Sequence, residues 1–158
     1  MLEASKVDYV VHLAAVTSPL EFEDPSSRGY EVNVMGTYNV FVSALRNKVK
    51  RVVFASSSAV YGNLGVPAIE EMLPPSYGNL YPLTKLVNEL TAKTFLSYGL
   101  DSVALRYFNT YRVGEDTKGA YSSVVYKFLT DVLQGRRPVI YGDGTQGGTS
   151  STSGTSPR

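Results

Sequence analysis

The sequence predicts an α/β protein with a parallel sheet, because short β-branched segments alternate with longer segments of helical periodicity. The strand-like segments are nearly continuous apolar runs, which is typical of strands covered on both faces. Right-handed connections between such strands give a doubly wound arrangement, whose ligands bind at the carboxyl ends of the strands. We therefore expect a functional site where the strands end.

The first half of the chain supplies two strands and one long helix. The β-branched run 7–13 predicts the first strand, and residues 50–55 predict the second. Between them, a segment from about 26 to 47 predicts a helix. Its apolar residues at helical spacing are Tyr30, Val34, Tyr38, Phe41 and Leu45.

The second half continues the alternation. A turn-rich stretch over 62–78 precedes a helix over 81–98, and Gly99 stands where a helix C-terminal glycine belongs. A third strand is expected over 103–108. The remaining predicted elements are a helix over 121–134 and a possible fourth strand over 138–141.

Composition excludes several classes of function. The 158 residues carry 15 Lys and Arg against 14 Asp and Glu, a net charge of +1. Such a nearly neutral chain lacks the positive charge that would attract nucleic acid or an acidic membrane surface. The absence of Cys excludes disulfides and Cys-based metal sites, and a single histidine, His12, excludes a three-His zinc site, so we expect no metal. No apolar run approaches the ~18 residues of a membrane span, and the N-terminus lacks a signal-peptide core, so we expect a cytoplasmic protein.

The end of the chain differs in composition from the rest. Residues 147–158 are Gly, Ser and Thr apart from a final Pro and Arg. Such a segment cannot bury a core, so we expect a structured region over 1–146 and a disordered tail over 147–158.

Tyr81 and Lys85 form the first candidate site. Residues four apart share a helical face, so the Lys85 ammonium can lie near the Tyr81 phenol. A nearby cation stabilises a phenolate and lowers a tyrosine pKa, which would make Tyr81 a usable general base. The alternative is an ordinary helix start with a solvated lysine.

The same helix has apolar contacts to make on two sides. One stripe comprises Leu83, Leu86, Val87, Leu90 and Thr94. Ala92 and Leu96 lie on the other side, with Tyr81 and Lys85. One side can cover the sheet while the other meets a partner subunit; the alternative is that one chain covers both.

Polar or small residues follow the predicted strands. Ser56–Ser58 could bond a reacting oxygen, but serines at a strand end are also ordinary turn formers. No Gly-x-Ser-x-Gly pattern surrounds them, which argues against a hydrolase. His12 lies inside a strand pattern, which favours a structural role.

Five motifs occur in a fixed order in this chain. They are His12–Ala15 (HLAA), Asn33–Thr37 (NVMGT), Ser56–Gly62 (SSSAVYG), Tyr81–Lys85 (YPLTK) and Leu105–Asn109 (LRYFN). Together they resemble the extended short-chain dehydrogenase/reductase family of nucleotide-sugar enzymes, nearest to UDP-glucose and UDP-N-acetylglucosamine 4-epimerases. The resemblance covers about residues 6 to 146. It implies that residues 1–146 are the C-terminal part of an NAD-binding Rossmann-like domain with the start of the substrate domain.

The resemblance also implies roles for individual residues. The catalytic set would be Ser57, Tyr81 as base and Lys85, with Ser57 and Tyr81 also touching substrate. Asn109 would hold the substrate's diphosphate. The residues implied to bind NAD are Ala14, Ala15, Val16, Thr17, Asn33, Tyr81, Lys85 and Phe108.

The implied reaction is 4-epimerisation of a UDP-sugar through a 4-keto intermediate, with NAD as the redox cofactor. Sugar 4,6-dehydratases of the family usually carry Asp-Glu just after the catalytic hydroxyl, where this chain has Ser58 and Ala59. Dehydration is therefore disfavoured, whereas decarboxylation and reduction stay open. The resemblance and the two-sided helix together imply a homodimer through the helices at about 26–47 and 81–98.

The chain also departs from the family pattern. It has no Gly-x-x-Gly-x-x-Gly turn before the strand at 7–13, so we expect a partial Rossmann-type doubly wound sheet lacking the first βαβ phosphate-binding unit. Tyr111-Arg112-Val113 stands where Tyr-Gly-Pro is usual. The alternative to an active epimerase is therefore a truncated, catalytically incompetent member that acts at most as a dimerising or binding module.

Overall fold

The computed structural model describes residues 7–17, 22, 27–62, 77, 79–111, 122–140, 142–144 and 150–152. The chain divides into two compact units, Met1–Tyr107 and Phe108–Arg158. The turn-rich stretch expected over 62–78 lies outside the described residues, apart from Gly62 and Tyr77.

The first unit contains a parallel sheet of three strands in the order β1-β2-β3. The strands are β1 (Tyr9–His12), β2 (Arg51–Ser57) and β3 (Ser102–Tyr107). Their register pairs Val10 with Val52 and Phe54 with Ala104, so these side chains share one face of the sheet. The predicted α/β class with a parallel sheet is confirmed, and each strand lies within two residues of its expected bounds.

A long helical segment connects β1 to β2. It begins with α1 (Ser27–Tyr30), continues through a π-helical turn (Glu31–Met35) and ends with α2 (Gly36–Arg46). The second connection contains a 3₁₀ turn (Ser58–Tyr61) and α3 (Leu80–Leu96). The helices predicted over 26–47 and 81–98 are therefore both present, the first with an internal π turn that the sequence pattern did not reveal.

The helices cover one face of this sheet. Phe41 and Ala44 of α2 and Ala92 and Phe95 of α3 form a buried cluster with β2 residues such as Phe54. On the opposite face Val53 and Ala55 are half-buried, and the remaining apolar side chains are exposed: Tyr9, Val11, Val103, Leu105 and Tyr107. Right-handed crossovers in the order β1-β2-β3 put both helices on the same side, so within the described part of this unit the helices cover one face only.

The side of α3 that faces the sheet is partly polar. Thr84, Lys85, Asn88 and Glu89 are buried there with Ala92 and Phe95, whereas Leu90 is 52% exposed. The apolar stripe therefore faces away from the sheet, and the side with Tyr81 and Lys85 packs inward. Leu96, expected on that inner side, is exposed at the helix end.

Glycine ends α3 as predicted. Gly99 has φ of +90°, its N–H donates to Leu96 O at 2.9 Å, and the Leu100 N–H donates to Phe95 O at 3.1 Å. Leu100 is buried and belongs to the same core cluster as Phe95. This left-handed turn redirects the chain from the helix into β3.

The second unit contains β4 (Asn109–Tyr111), α4 (Val124–Leu133) and β5 (Ser150–Thr152), with β4 and β5 paired in parallel. Ser123 caps α4 by accepting a hydrogen bond from Tyr126 N.

The possible strand over 138–141 is wrong for residues 138–140, which pair with no strand and follow the positive-φ turn at Gly135. Of the tail predicted to be disordered, Ser150–Thr152 form β5, and the rest lies outside the described residues.

No helix among the described residues is long and apolar enough to cross a membrane.

Candidate active site

Ser57 is the last residue of β2 and caps the 3₁₀ turn that follows. Its Oγ accepts a hydrogen bond from Ala59 N at 3.1 Å, and its backbone is extended. That bond uses a lone pair of the hydroxyl and leaves its proton able to bond an acceptor. The terminal position of Ser57 therefore suits a group that donates to a reacting oxygen.

Tyr81 lies in the first turn of α3, where Asn79 fixes the helix start. The Asn79 Oδ1 accepts a hydrogen bond from Tyr81 N at 3.0 Å, a regular N-cap. The carbonyl oxygen of Tyr81 accepts a bond from Thr84 Oγ1 at 2.7 Å. Two bonds thus fix the backbone that carries the phenol.

Lys85 joins Tyr81 to the end of β2. Its Nζ lies 5.7 Å from the centroid of the Tyr81 ring and donates to Ala55 O, two residues before Ser57, at 3.1 Å. Lys85 is only 3% exposed, and burial lowers its pKa from the usual value. The structure therefore brings Lys85 beside Tyr81 and beside the strand that carries Ser57, as the four-residue spacing predicted.

Asn33 lies in the π turn, beside the end of β1. Its Oδ1 accepts from Val16 N at 2.8 Å, and its Nδ2 donates to Val16 O at 2.9 Å and to Thr84 Oγ1 at 3.2 Å. The side chain is 1% exposed. Asn33 thus connects the segment 14–17, which follows β1, to α3. Its direct contact with a cofactor stays a prediction.

Further uncharged groups extend this set. Asn88 Nδ2 donates to Asn33 O at 3.0 Å and to Thr37 Oγ1 at 3.1 Å, and Thr37 Oγ1 donates to Asn33 O at 2.7 Å. We call Asn33, Thr37, Thr84 and Asn88 the amide cluster; all four are buried. It links the segment after β1 to the helix that carries Tyr81 and Lys85.

His12 contacts the edge of the amide cluster. Its Nε2 lies 3.0 Å from Thr37 Oγ1. Because the Thr37 hydroxyl proton goes to Asn33 O, this bond requires the proton of His12 on Nε2. Burial and then the nearby Lys85 charge lower the His12 pKa, which favours a neutral ring in a structural role.

A second set of polar groups contacts the same sheet-facing side of α3, at Glu89. Arg106 donates from Nη2 to Glu89 Oε2 at 2.7 Å and from Nε to Glu89 Oε1 at 3.0 Å, and Ser56 Oγ also donates to Glu89. The Arg106 guanidinium carbon lies 4.7 Å from the centroid of the Tyr61 ring. We call Ser56, Glu89 and Arg106 the carboxylate cluster.

The ionisation of Glu89 depends on these partners. Burial alone would raise its pKa, but the hydrogen bonds from Arg106 and Ser56 and the charge of Arg106 outweigh burial and lower it. The bond to Glu89 in turn raises the pKa of Arg106. Both groups therefore stay charged, and the pair connects α3 to β3 beside Ser56, the residue before Ser57.

Sequence patterns did not reveal two residues that shape this site. Phe22 is 5% exposed, and its ring contacts the Tyr81 ring edge-on, with centroids 5.6 Å apart. Gly29 lies against the Phe22 ring. Phe22 lies outside every periodic segment, so no local pattern marked it.

Some predicted site residues are not tested by these contacts. Ala14–Thr17 continue from β1 and are half-buried or exposed, which leaves them accessible to a ligand. Phe108 and Asn109 begin the second unit, where both are exposed. Their roles toward cofactor and substrate stay predictions.

Comparison with known proteins agrees with this fold. The model of the NAD dependent epimerase/dehydratase family matches residues 1–147, and the chain belongs to that family. One curated relative, UDP-N-acetyl-alpha-D-glucosaminuronate decarboxylase of Bacillus cytotoxicus, is 36% identical over 88% of this chain and 44% of its own length. Another, a putative UDP-glucose 4-epimerase of Methanocaldococcus jannaschii, is 34% identical over 89% of this chain and 46% of its own length.

A solved structure is similar over most of the chain. UDP-N-acetylglucosamine 4-epimerase from Methanobrevibacter ruminantium, solved with UDP-N-acetylmuramic acid, matches with a TM-score of 0.81 and 40% identity. The match covers 92% of this chain and 47% of that protein. The chain thus spans less than half the length of these relatives.

Proposed function

We propose that this chain carries the catalytic residues of an NAD-dependent nucleotide-sugar 4-epimerase. The observation that carries the proposal is the placement of Lys85, whose buried ammonium lies 5.7 Å from the Tyr81 ring centroid and bonds the strand that ends in Ser57. A tyrosine beside a buried ammonium that bonds a strand ending in a serine hydroxyl suits proton abstraction from a sugar hydroxyl.

The residues take distinct roles in this proposal. Tyr81 removes the proton of the sugar 4-hydroxyl, and Ser57 donates a hydrogen bond to the oxygen that becomes the 4-keto group. Lys85 stabilises the phenolate electrostatically and bonds the cofactor ribose. NAD, when bound, would accept the hydrogen of the sugar C4 as hydride and return it to the other face.

The described residues offer a place for that cofactor. The segment 14–17 follows β1, is held by Asn33 and is accessible. Small residues at a strand end allow a dinucleotide to approach the backbone closely. We propose that Ala14–Thr17, Tyr81, Lys85 and Phe108 contact NAD and that Asn109 contacts the diphosphate of a UDP-sugar.

The experiment is an epimerisation assay with UDP-glucose and UDP-N-acetylglucosamine, after measurement of the NAD retained by the purified protein. Tyr81→Phe should abolish turnover while leaving NAD retention unchanged, because only the proton acceptor is lost. Tyr98→Phe is the matched control, since it removes a hydroxyl from a tyrosine that is 66% exposed just after the same helix. Activity unaffected by Tyr81→Phe would exclude Tyr81 as the base, and failure to retain NAD would favour a catalytically incompetent family member.

Decarboxylation is the second candidate, because a curated relative with 36% identity is a nucleotide-sugar decarboxylase. Both reactions begin with oxidation at C4, so the same residues serve either one. Release of carbon dioxide from a UDP-uronic acid, without return of the C4 epimer, would select the decarboxylase.

We further propose that the protein is a homodimer that uses the outward sides of its two long helices. The apolar stripe of α3 faces away from the sheet, and a groove of about 510 Å³ lies where Tyr38 and Val42 of α2 meet Thr94 and Phe95 of α3. A second copy would cover this surface with the same apolar side chains. Leu90→Glu should give a monomer by light scattering, whereas Val11→Glu, on the opposite face of the sheet, should leave the dimer intact.

A cytoplasmic location is also a proposal, which cell fractionation would test.

A further inference from the structure

Phe22 lies between a helix glycine and the candidate base. Its buried ring meets the Tyr81 ring at an interplanar angle of 62°, with centroids 5.6 Å apart, an edge-to-face contact. The Phe22 ring also lies against Gly29 of α1, and Gly29 is itself buried. The three residues come from three different parts of the sequence.

The contact between Phe22 and Gly29 leaves no room for a side chain. A Cβ at position 29 would lie 2.5 Å from Cε1 and 2.6 Å from Cζ of Phe22, well inside van der Waals contact. Gly29 lies in α1, where the backbone suits any L-residue, so glycine is required here for space. Any other residue must displace the ring that contacts Tyr81.

We propose that Phe22 is a positioning residue for Tyr81 and that Gly29 allows it to occupy that position. This inference rests on the proposed role of Tyr81 as the base. The Phe22 contact restricts the Tyr81 ring, and the Lys85 ammonium lies 5.7 Å from the centroid of the same ring. Displacement of the ring changes the reach of the phenol oxygen toward both Lys85 and the sugar hydroxyl, and small misplacements of a reacting group lower the rate strongly.

Four variants of the full chain separate this effect from ordinary helix effects. Gly29→Ala adds a methyl group that displaces Phe22, whereas Phe22→Leu removes the ring. The double variant Phe22→Leu/Gly29→Ala removes the clash by removing its partner. Gly36→Ala is the matched control, because a Cβ at this helix position meets nothing within 4 Å.

The readouts are the kcat and KM of epimerisation and the ring resonances of Tyr81 in tyrosine-labelled protein, assigned with Tyr81→Phe. Gly29→Ala and Phe22→Leu should each lower kcat on the order of tenfold to hundredfold with little change in KM, and should shift the Tyr81 resonances. Gly36→Ala should match the wild type in both readouts. The double variant should be no worse than Phe22→Leu alone.

Unchanged Tyr81 resonances in Phe22→Leu would overturn the proposal, as would a Gly36→Ala variant that behaves like Gly29→Ala. If Gly29→Ala fails to fold, Phe22→Leu decides the question, since it introduces no clash. If the wild-type protein shows no epimerase activity, the proposed function fails, and the resonances alone decide whether Phe22 positions Tyr81.

Discussion

Two buried clusters of opposite chemistry hold helix α3 against the rest of the first unit. The amide cluster is uncharged and bonds largely to backbone atoms, including the N–H and the carbonyl oxygen of Val16. The carboxylate cluster is ionic and joins side chains of three elements, with Glu89 at its centre. Lys85 lies in the helix between Thr84 and Asn88 of the amide cluster and carries the charge proposed for chemistry.

This difference predicts how much stability each cluster loses when one of its partners is removed. An uncharged network loses one hydrogen bond at a time, and each buried group left unsatisfied adds a moderate cost. A buried ion pair that loses one partner leaves a desolvated charge, which costs more than the intact pair contributed. The carboxylate cluster should therefore be the more sensitive of the two.

Arg106→Met should have the largest effect on stability. It leaves the Glu89 carboxylate buried without its cation, which should lower the free energy of unfolding by about 3–5 kcal/mol. Urea denaturation measures the change. The double variant Glu89→Leu/Arg106→Met removes both charges and should regain most of the loss; a double variant as unstable as the single one would show that the pair itself stabilises the fold.

Asn33→Ala should have a smaller effect. The variant removes the side-chain partner of Val16 N and Val16 O and one of the two partners of Thr84 Oγ1, and one buried unsatisfied group costs about 1–3 kcal/mol. Thermal and urea unfolding would give the difference. Asn47→Ala is the control, since its bond to Ser43 O is exposed and its loss should stay within about 0.5 kcal/mol. Equal losses at the two positions would contradict the importance of burial.

Acid should act over different pH ranges on Glu89 of the carboxylate cluster and on His12, which contacts the amide cluster. The pKa of Glu89 is lowered from 4.5, so its contribution is complete above pH 4.5 and is lost as the pH falls through its folded value. The pKa of His12 is lowered from 6.5, so the unfolded chain binds a proton first and stability falls as the pH drops below 6.5, until the lower folded pKa is reached.

Unfolding free energies of the wild type and His12→Gln between pH 8 and pH 4 would separate these contributions. The variant should lack the decline that begins near pH 6.5 and keep the one that begins near 4.5. Identical profiles would show that His12 does not titrate differently on folding.

Arg51→Gln should have the smallest effect. Arg51 and Asp101 form an ion pair at 2.6 Å, but their side chains are 51% and 44% exposed. Such surface pairs contribute about 0–1 kcal/mol and are screened by salt. A loss comparable to that of Arg106→Met, or one independent of salt concentration, would contradict the contrast between buried and exposed pairs.

Local patterns predicted the parts of the site that depend on spacing. Four-residue spacing placed Lys85 beside Tyr81, and β-branched runs located the strand that ends in Ser57. Gly99 marked the end of α3 because a left-handed turn favours glycine. These features each depend on a few consecutive residues.

The remaining features depend on partners that are distant in sequence. Hydrophobic pattern suggested an apolar inner face for α3, yet Asn88 and Glu89 are buried because Thr37 and Arg106 satisfy them. Periodicity cannot reveal such partners, since they belong to other elements. The same reason explains why the contact of Phe22 with Gly29 and Tyr81 was not predicted.

The π turn at Glu31–Met35 has a consequence for insertions and deletions. Its closing bond, from Gly36 N to Glu31 O, spans five residues, so the turn holds one residue more than an α-helix needs. Deleting one residue there would restore regular helical geometry and keep α2 packed on the sheet, yet Asn33 would no longer face Val16. The length of this helix is therefore as much a requirement of the site as any side chain in it.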